Sequence, residues 1–140
     1  MTLTTQVIGQ TEKALNAILD RLLAGTDITE PQWVTLTLTV VSGGLPADAL
    51  TARVSGALKA DSAIARERLA ELTSAGLVRQ NPEGVVEATE RGKAQWEAVR
   101  AQVTEITQRL WGDLPEEDLA VAGRVLSTVL TRANAALATV

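Results

Sequence analysis

Between Asp61 and Gly92 the chain passes from helical to extended character and back, and this switch constrains its fold more than any other feature. Asp61-Ser62 offers a helix start, and Ala63 to Leu72 continues with helical spacing. Ala65, Leu69 and Leu72 share one side, which must pack inward, while Ser62, Ala63, Arg66 and Glu67 lie towards the other. Ala75-Gly76 stops the helix, because glycine takes the left-handed conformation at little cost. Leu77-Val78-Arg79 extends, Asn81-Pro82-Glu83-Gly84 suits a type I turn, and Val85-Val86-Glu87 returns. Thr89-Glu90-Arg91-Gly92 then opens another helix with Thr89 as its cap.

The flanking sequence supplies long amphipathic helices. Ile8, Thr11, Leu15, Ile18 and Leu22 recur at spacings of three and four and predict a first helix from about Leu3 to Leu23. Thr29-Glu30-Pro31-Gln32 is a strong start signal, with Thr29 as cap and Gln32 reaching back. Val34 to Val40 alternates with period two, which favours a strand by propensity. The cap and the Gly43-Gly44 stop favour a helix, and a helix is the reading adopted, its threonines bonding back to helix carbonyls. Pro46 opens a short third helix, with Leu50 and Val54 inward, that ends near Ser55-Gly56. Leu58-Lys59-Ala60 turns into the fourth helix. The fifth runs from Thr89 to about Trp111, roughly 33 Å, with Trp96, Val99, Val103, Ile106 and Leu110 on one face. Gly112-Asp113-Leu114-Pro115 breaks it, and a sixth runs from about Glu116 to Ala138. The fold class is mainly α with a small β-ribbon. One helix followed by a two-stranded ribbon is the recognition half of a winged helix-turn-helix, which offers a helix to a DNA groove. The chain reads as one domain, with residues about 29–89 as the DNA-binding part and about 1–25 and 90–140 as dimerisation helices. So small a central unit cannot cover three long amphipathic helices, so a homodimer is expected.

Composition narrows the chemistry. The chain has no Cys and no His, which removes a disulfide framework, zinc knuckles and the commonest general base. No metal, cofactor or catalytic site is expected. Glu116-Glu117-Asp118 opens a helix, where the macrodipole favours acids, and does not make a catalytic pair. With Trp33, Trp96 and Trp111 as the only aromatic residues, the composition argues against single-strand binding by rows of stacking aromatics. No stretch approaches the ~20 apolar residues of a membrane span, and the start lacks signal-peptide character, so a cytoplasmic protein is expected. Net charge is −4, yet residues 53–93 hold seven basic against six acidic residues, a net of +1, leaving −5 for the remainder. That gradient aims one face at phosphate, though modestly.

At the level of whole-chain order and local phrases, the sequence resembles the MarR family, the multiple-antibiotic-resistance-type regulators. LAELTSAGLVR (Leu69 to Arg79) resembles the family's recognition-helix end and first ribbon strand. VEATERGKAQWEAV (Val86 to Val99) resembles the second strand and long-helix start, and RLWGDLPEEDLAVAGRVLSTV (Arg109 to Val129) the break and final helix. The resemblance implies a homodimer whose fourth helices enter successive major grooves of a pseudo-palindromic double-stranded operator. It further implies a repressor of transcription, released by a small, often aromatic, effector bound between the dimer helices and the DNA-binding unit. Two departures stand out. Family wings are longer and carry an Asp-x-Arg near the tip, whereas only Gln80 to Gly84 lie between the strands here, with Glu83 at the turn. Alignment on Gly76 also places Glu67 where many members have a DNA-facing arginine, between Arg66 and Arg68.

Candidate DNA contacts are therefore Lys59, Ser62, Ala63, Arg66, Glu67 and Arg79. Arg66 is the leading base or phosphate contact, with an intrahelical or solvated arginine as the plain alternative. Ser62 and Ala63 sit where helix-start amides favour phosphate, and Ser62 equally suits ordinary capping. Lys59 is either a phosphate contact or a solvated turn lysine. Arg79, Arg91 and Lys93 either back the ribbon or pair with Glu87 and Glu90. Trp33 and Trp96 are candidate ligand-binding residues, with core packing as the alternative. A non-enzymatic DNA-binding regulator is the first functional reading. The second is a dimeric ligand-sensing or scaffold protein that keeps the winged-helix fold with impaired DNA binding.

Overall fold

The computed structural model describes residues 1–140. Its elements run α1 (Thr5–Leu23), α2 (Glu30–Ser42), β1 (Leu45–Pro46), α3 (Ala47–Leu58), α4 (Ser62–Ser74), β2 (Val78–Gln80), β3 (Val85–Ala88), α5 (Glu90–Trp111) and α6 (Glu116–Leu137). They divide into two compact units, Met1–Val103 and Thr104–Val140, with α5 contributing to both.

In the first unit α2 resolves the ambiguity of the threonine-rich stretch. Thr29 accepts from the Gln32 N–H while Gln32 Oε1 accepts from the Thr29 N–H at 2.9 Å, a complete capping box. Thr35 and Thr39 are fully buried, and each donates its hydroxyl to the carbonyl four residues back, Pro31 and Thr35, at 2.8 Å. Back-bonding removes the cost of burying those hydroxyls, so a period-two pattern survives inside a helix. Leu36, Leu50, Val54, Ala65, Leu72 and Val78 form the centre of the core, where α2, α3, α4 and the sheet meet.

Two expectations need correction. The ribbon is a three-stranded antiparallel sheet in the order β1-β3-β2, because Leu45 and Pro46 pair with Val86 and Val85. Pro46 thus ends a short edge strand, where its missing N–H costs no ladder bond, and caps α3 rather than lying inside it. Helix α3 also runs past Gly56 to Leu58 and stops at Lys59, which takes a left-handed backbone at φ +54°.

The second unit comprises the end of α5, the break and α6. Gly112 and Leu114 donate to the Gln108 and Trp111 carbonyls, closing the break. Glu116, Glu117 and Asp118 fill the first turn of α6, as the macrodipole favours. No residue of α6 is buried, and Val121, Val125, Leu126, Val129 and Leu130 are all exposed. No helix is long and apolar enough to cross a membrane.

Candidate nucleic-acid interface

Helix α4 is seated from three directions. Asp61 caps it, accepting the Ile64 N–H at 3.0 Å. Its inward side buries Ala65 and Leu72, with Leu69 packed beside them. Between the two, Arg68 lies half-buried, its Nε 3.0 Å from Glu71 Oε1 and its Nη2 3.2 Å from Glu67 Oε2. Glu71 also accepts from Gln32 Nε2 at 3.0 Å, so the residue that completes the α2 cap ties α2 to α4.

The C-terminal end of α4 is fixed by the start of α5. Gly76 turns the chain at φ +76°. Thr89 donates its hydroxyl to the Gly76 carbonyl at 2.7 Å and accepts the Gly92 N–H at 3.0 Å, so one oxygen caps α5 and holds α4. Arg91 Nη1 reaches the Ala75 carbonyl at 3.3 Å. Gly92 is buried, and a Cβ there would stand 2.0 Å from the Leu77 carbonyl oxygen. The Thr-Glu-Arg-Gly phrase is thus a joint between two helices, and close backbone approach is the reason for its glycine.

What α4 leaves outward is polar and small. Ser62, Ala63, Arg66 and Glu67 are all exposed. Arg66 makes no ion pair and no hydrogen bond, unlike its neighbour Arg68. Ser62 and Ala63 occupy the first helical positions, where amide protons point out of the helix end. Lys59 is exposed and donates through Nζ to the Gly56 carbonyl at 2.8 Å, at the C-terminal pole of α3.

The wing carries no free cation. Asn81 Oδ1 accepts from the Glu83 and Val85 N–H groups, and the Gly84 N–H donates to the Asn81 carbonyl at 2.9 Å. Arg79 is committed to Glu87, its partner across the strands, at 2.8 Å. Lys93 lies 3.5 Å from Glu90. Arg79, Glu87, Thr89, Glu90 and Lys93 line one side of a cavity of about 400 Å³ whose other side is the end of α2, Thr39, Val40 and Gly43. The sequence patterns gave no sign of this cavity, which depends on tertiary packing.

Trp33 and Trp96 come together. Their rings stack with centroids 6.3 Å apart and planes 19° from parallel. Trp96 is buried, donates Nε1 to Thr37 Oγ1 at 3.1 Å, and has the Arg100 guanidinium 5.2 Å from its ring centroid. The pair joins α2 to α5, and Trp33 remains half-buried.

Comparison with solved structures identifies this architecture. A mutant MarR from E. coli complexed with operator DNA matches at a TM-score of 0.71, with 24% identity over 89% of this chain and 91% of that one. The transcriptional regulator SlyA matches at 0.76, with 17% identity over 92% of each chain. The fold is that of the MarR-type regulators. NadR in complex with 4-hydroxyphenylacetate is a third MarR-like match, at 0.75 and 22% identity over 91% of this chain and 95% of that one. No family model matches the chain, and no curated protein does. Within the MarR fold, α3 and α4 are the helix-turn-helix, β2 and β3 the wing, and α1, α5 and α6 the long terminal helices.

Proposed function

We propose that the chain is a homodimeric, sequence-specific double-stranded DNA-binding regulator that represses transcription by occupying a pseudo-palindromic operator. The observation that carries this reading is the outward side of α4: an unpaired Arg66 beside small residues and free helix-start amides, on a helix held rigidly at both ends. Arg66 matches the bidentate acceptor pair of guanine in the major groove, and Glu67 can accept from a cytosine amino group. Ser62, Ala63 and Lys59 are placed for phosphate, which positions the helix without reading sequence. Arg79 contributes less, because Glu87 neutralises it. The exposed apolar side of α6 supports a dimer, the arrangement that places two α4 helices about 34 Å apart on one face of DNA.

A small aromatic effector is the release signal in this reading. The half-buried Trp33, stacked on Trp96, offers ring surface for it and would report binding by fluorescence. The NadR complex makes 4-hydroxyphenylacetate a reasonable first probe.

One observation favours the rival reading of a ligand-sensing or scaffold protein with impaired DNA binding. The wing is short, holds its one arginine in an ion pair and carries Glu83 at its turn. Selection of bound fragments from random and upstream DNA at low salt separates the two. A regulator yields an enriched motif, and its affinity falls steeply with salt as counterions are released. Stabilisation by an aromatic acid with no enriched fragment would establish the rival.

A further inference from the structure

Ile64 is the exception on the outward side of α4. It is 40% exposed, whereas the residues around it are small or charged. It occupies the third helical position, at the end of α4 that the proposed reading sends into the major groove. Its N–H is already bonded to Asp61, which fixes its backbone and leaves only the side chain to act. A β-branched residue brings poorer helix propensity than its alanine neighbours, and two fifths of this one stays uncovered. Ala63 beside it presents a single methyl, so a groove floor can approach closely. Glu67 lies three residues on and is therefore its neighbour on the helix surface.

The apolar group that a base edge offers in the major groove is the C5-methyl of thymine. We propose that Ile64 is a specificity-determining residue that reads a thymine methyl in each half-site, adjacent to the base met by Glu67. This inference rests on α4 being the DNA-reading helix, and its test is built to fail separately from that reading.

The test uses the full-length protein and a fragment recovered by selection. Each thymine of the half-site is replaced in turn by deoxyuridine, which lacks only the methyl. Wild-type protein should lose about fourfold in affinity per half-site at one position, the worth of one buried methyl. Ile64→Ala should bind the thymine and uracil forms of that position equally, while circular dichroism shows it still folded at the assay temperature. If wild-type protein binds the parent fragment but ignores every such replacement, or if Ile64→Ala keeps the same sensitivity, the proposal is overturned and the regulator reading stands. If no fragment is recovered at all, both fall together.

Discussion

Helices α4 and α6 are both amphipathic, and they differ in which side the chain leaves uncovered. In α4 the apolar side is spent on the core through Ala65, Leu69 and Leu72, and the remainder is small or polar except for Ile64. In α6 no residue is buried, only Leu119 is half-covered, and a row of valines and leucines stays in solvent. Leftover polar surface fits a hydrated, charged partner such as DNA, whereas leftover apolar surface is completed by a like apolar surface. The same chain thus offers two surfaces of opposite chemistry, and in the proposed reading DNA meets the first and another copy of the chain the second.

The strongest way to break the α4 side of this contrast is to unseat the helix. Gly92→Ala would force a methyl against the Leu77 carbonyl, where backbone on both sides leaves no side chain free to yield. We expect a loss of at least about 3 kcal/mol, the upper range for overpacking, measured by denaturant unfolding. The α6 side is broken by charge. Leu126→Glu with Val129→Glu should give monomers in sedimentation and lower operator affinity by about 100-fold or more, as linked binding of two reading heads is lost. Retained dimers would show that α6 is not an interface. Arg66→Ala sharpens the contrast without touching the fold. About 1 kcal/mol per subunit, hence about 2 kcal/mol or close to thirtyfold in the dimer's Kd, should disappear in a mobility-shift titration with Tm unchanged.

The smallest effect concerns neither side. Burial, and then Asp20 and Glu12, raise the Glu30 carboxyl above its ordinary value. The folded chain therefore holds that proton more tightly than the unfolded chain does. Its cost is absent at pH below the unfolded value, grows as pH rises between the unfolded and the raised value, and is complete above the raised one. Glu30→Gln should raise Tm slightly at pH 7 and leave it unchanged below about pH 4. A gain that persists in acid would mean the carboxylate charge is not the cause.

Much of this was legible in sequence for identifiable reasons. The α2 helix was readable because its capping box and double-glycine stop outweighed a strand-like alternation, and back-bonded threonines let it do so. The outward set of α4 followed from a 100° turn per residue, and Asn81 to Gly84 from turn chemistry. Strand β1 was illegible because two residues carry no period, and only the partner Val85-Val86 makes Leu45-Pro46 a strand. The end of α3 was misplaced because Gly56 is tolerated inside a helix while Lys59 adopts the left-handed turn usually left to glycine. The pairing of Arg79 with Glu87 was one of two readings of the ribbon charges, and only the strand register decides it. The stack of Trp33 on Trp96 joins residues far apart in the chain, so no local pattern encodes it.

Hydroxyl-radical footprinting of the intact protein on a selected fragment tests the central claim most directly. Two protected patches about ten base pairs apart on one face of the duplex, with two chains bound per fragment, are the predicted result. A single patch, or one chain per fragment, would contradict it.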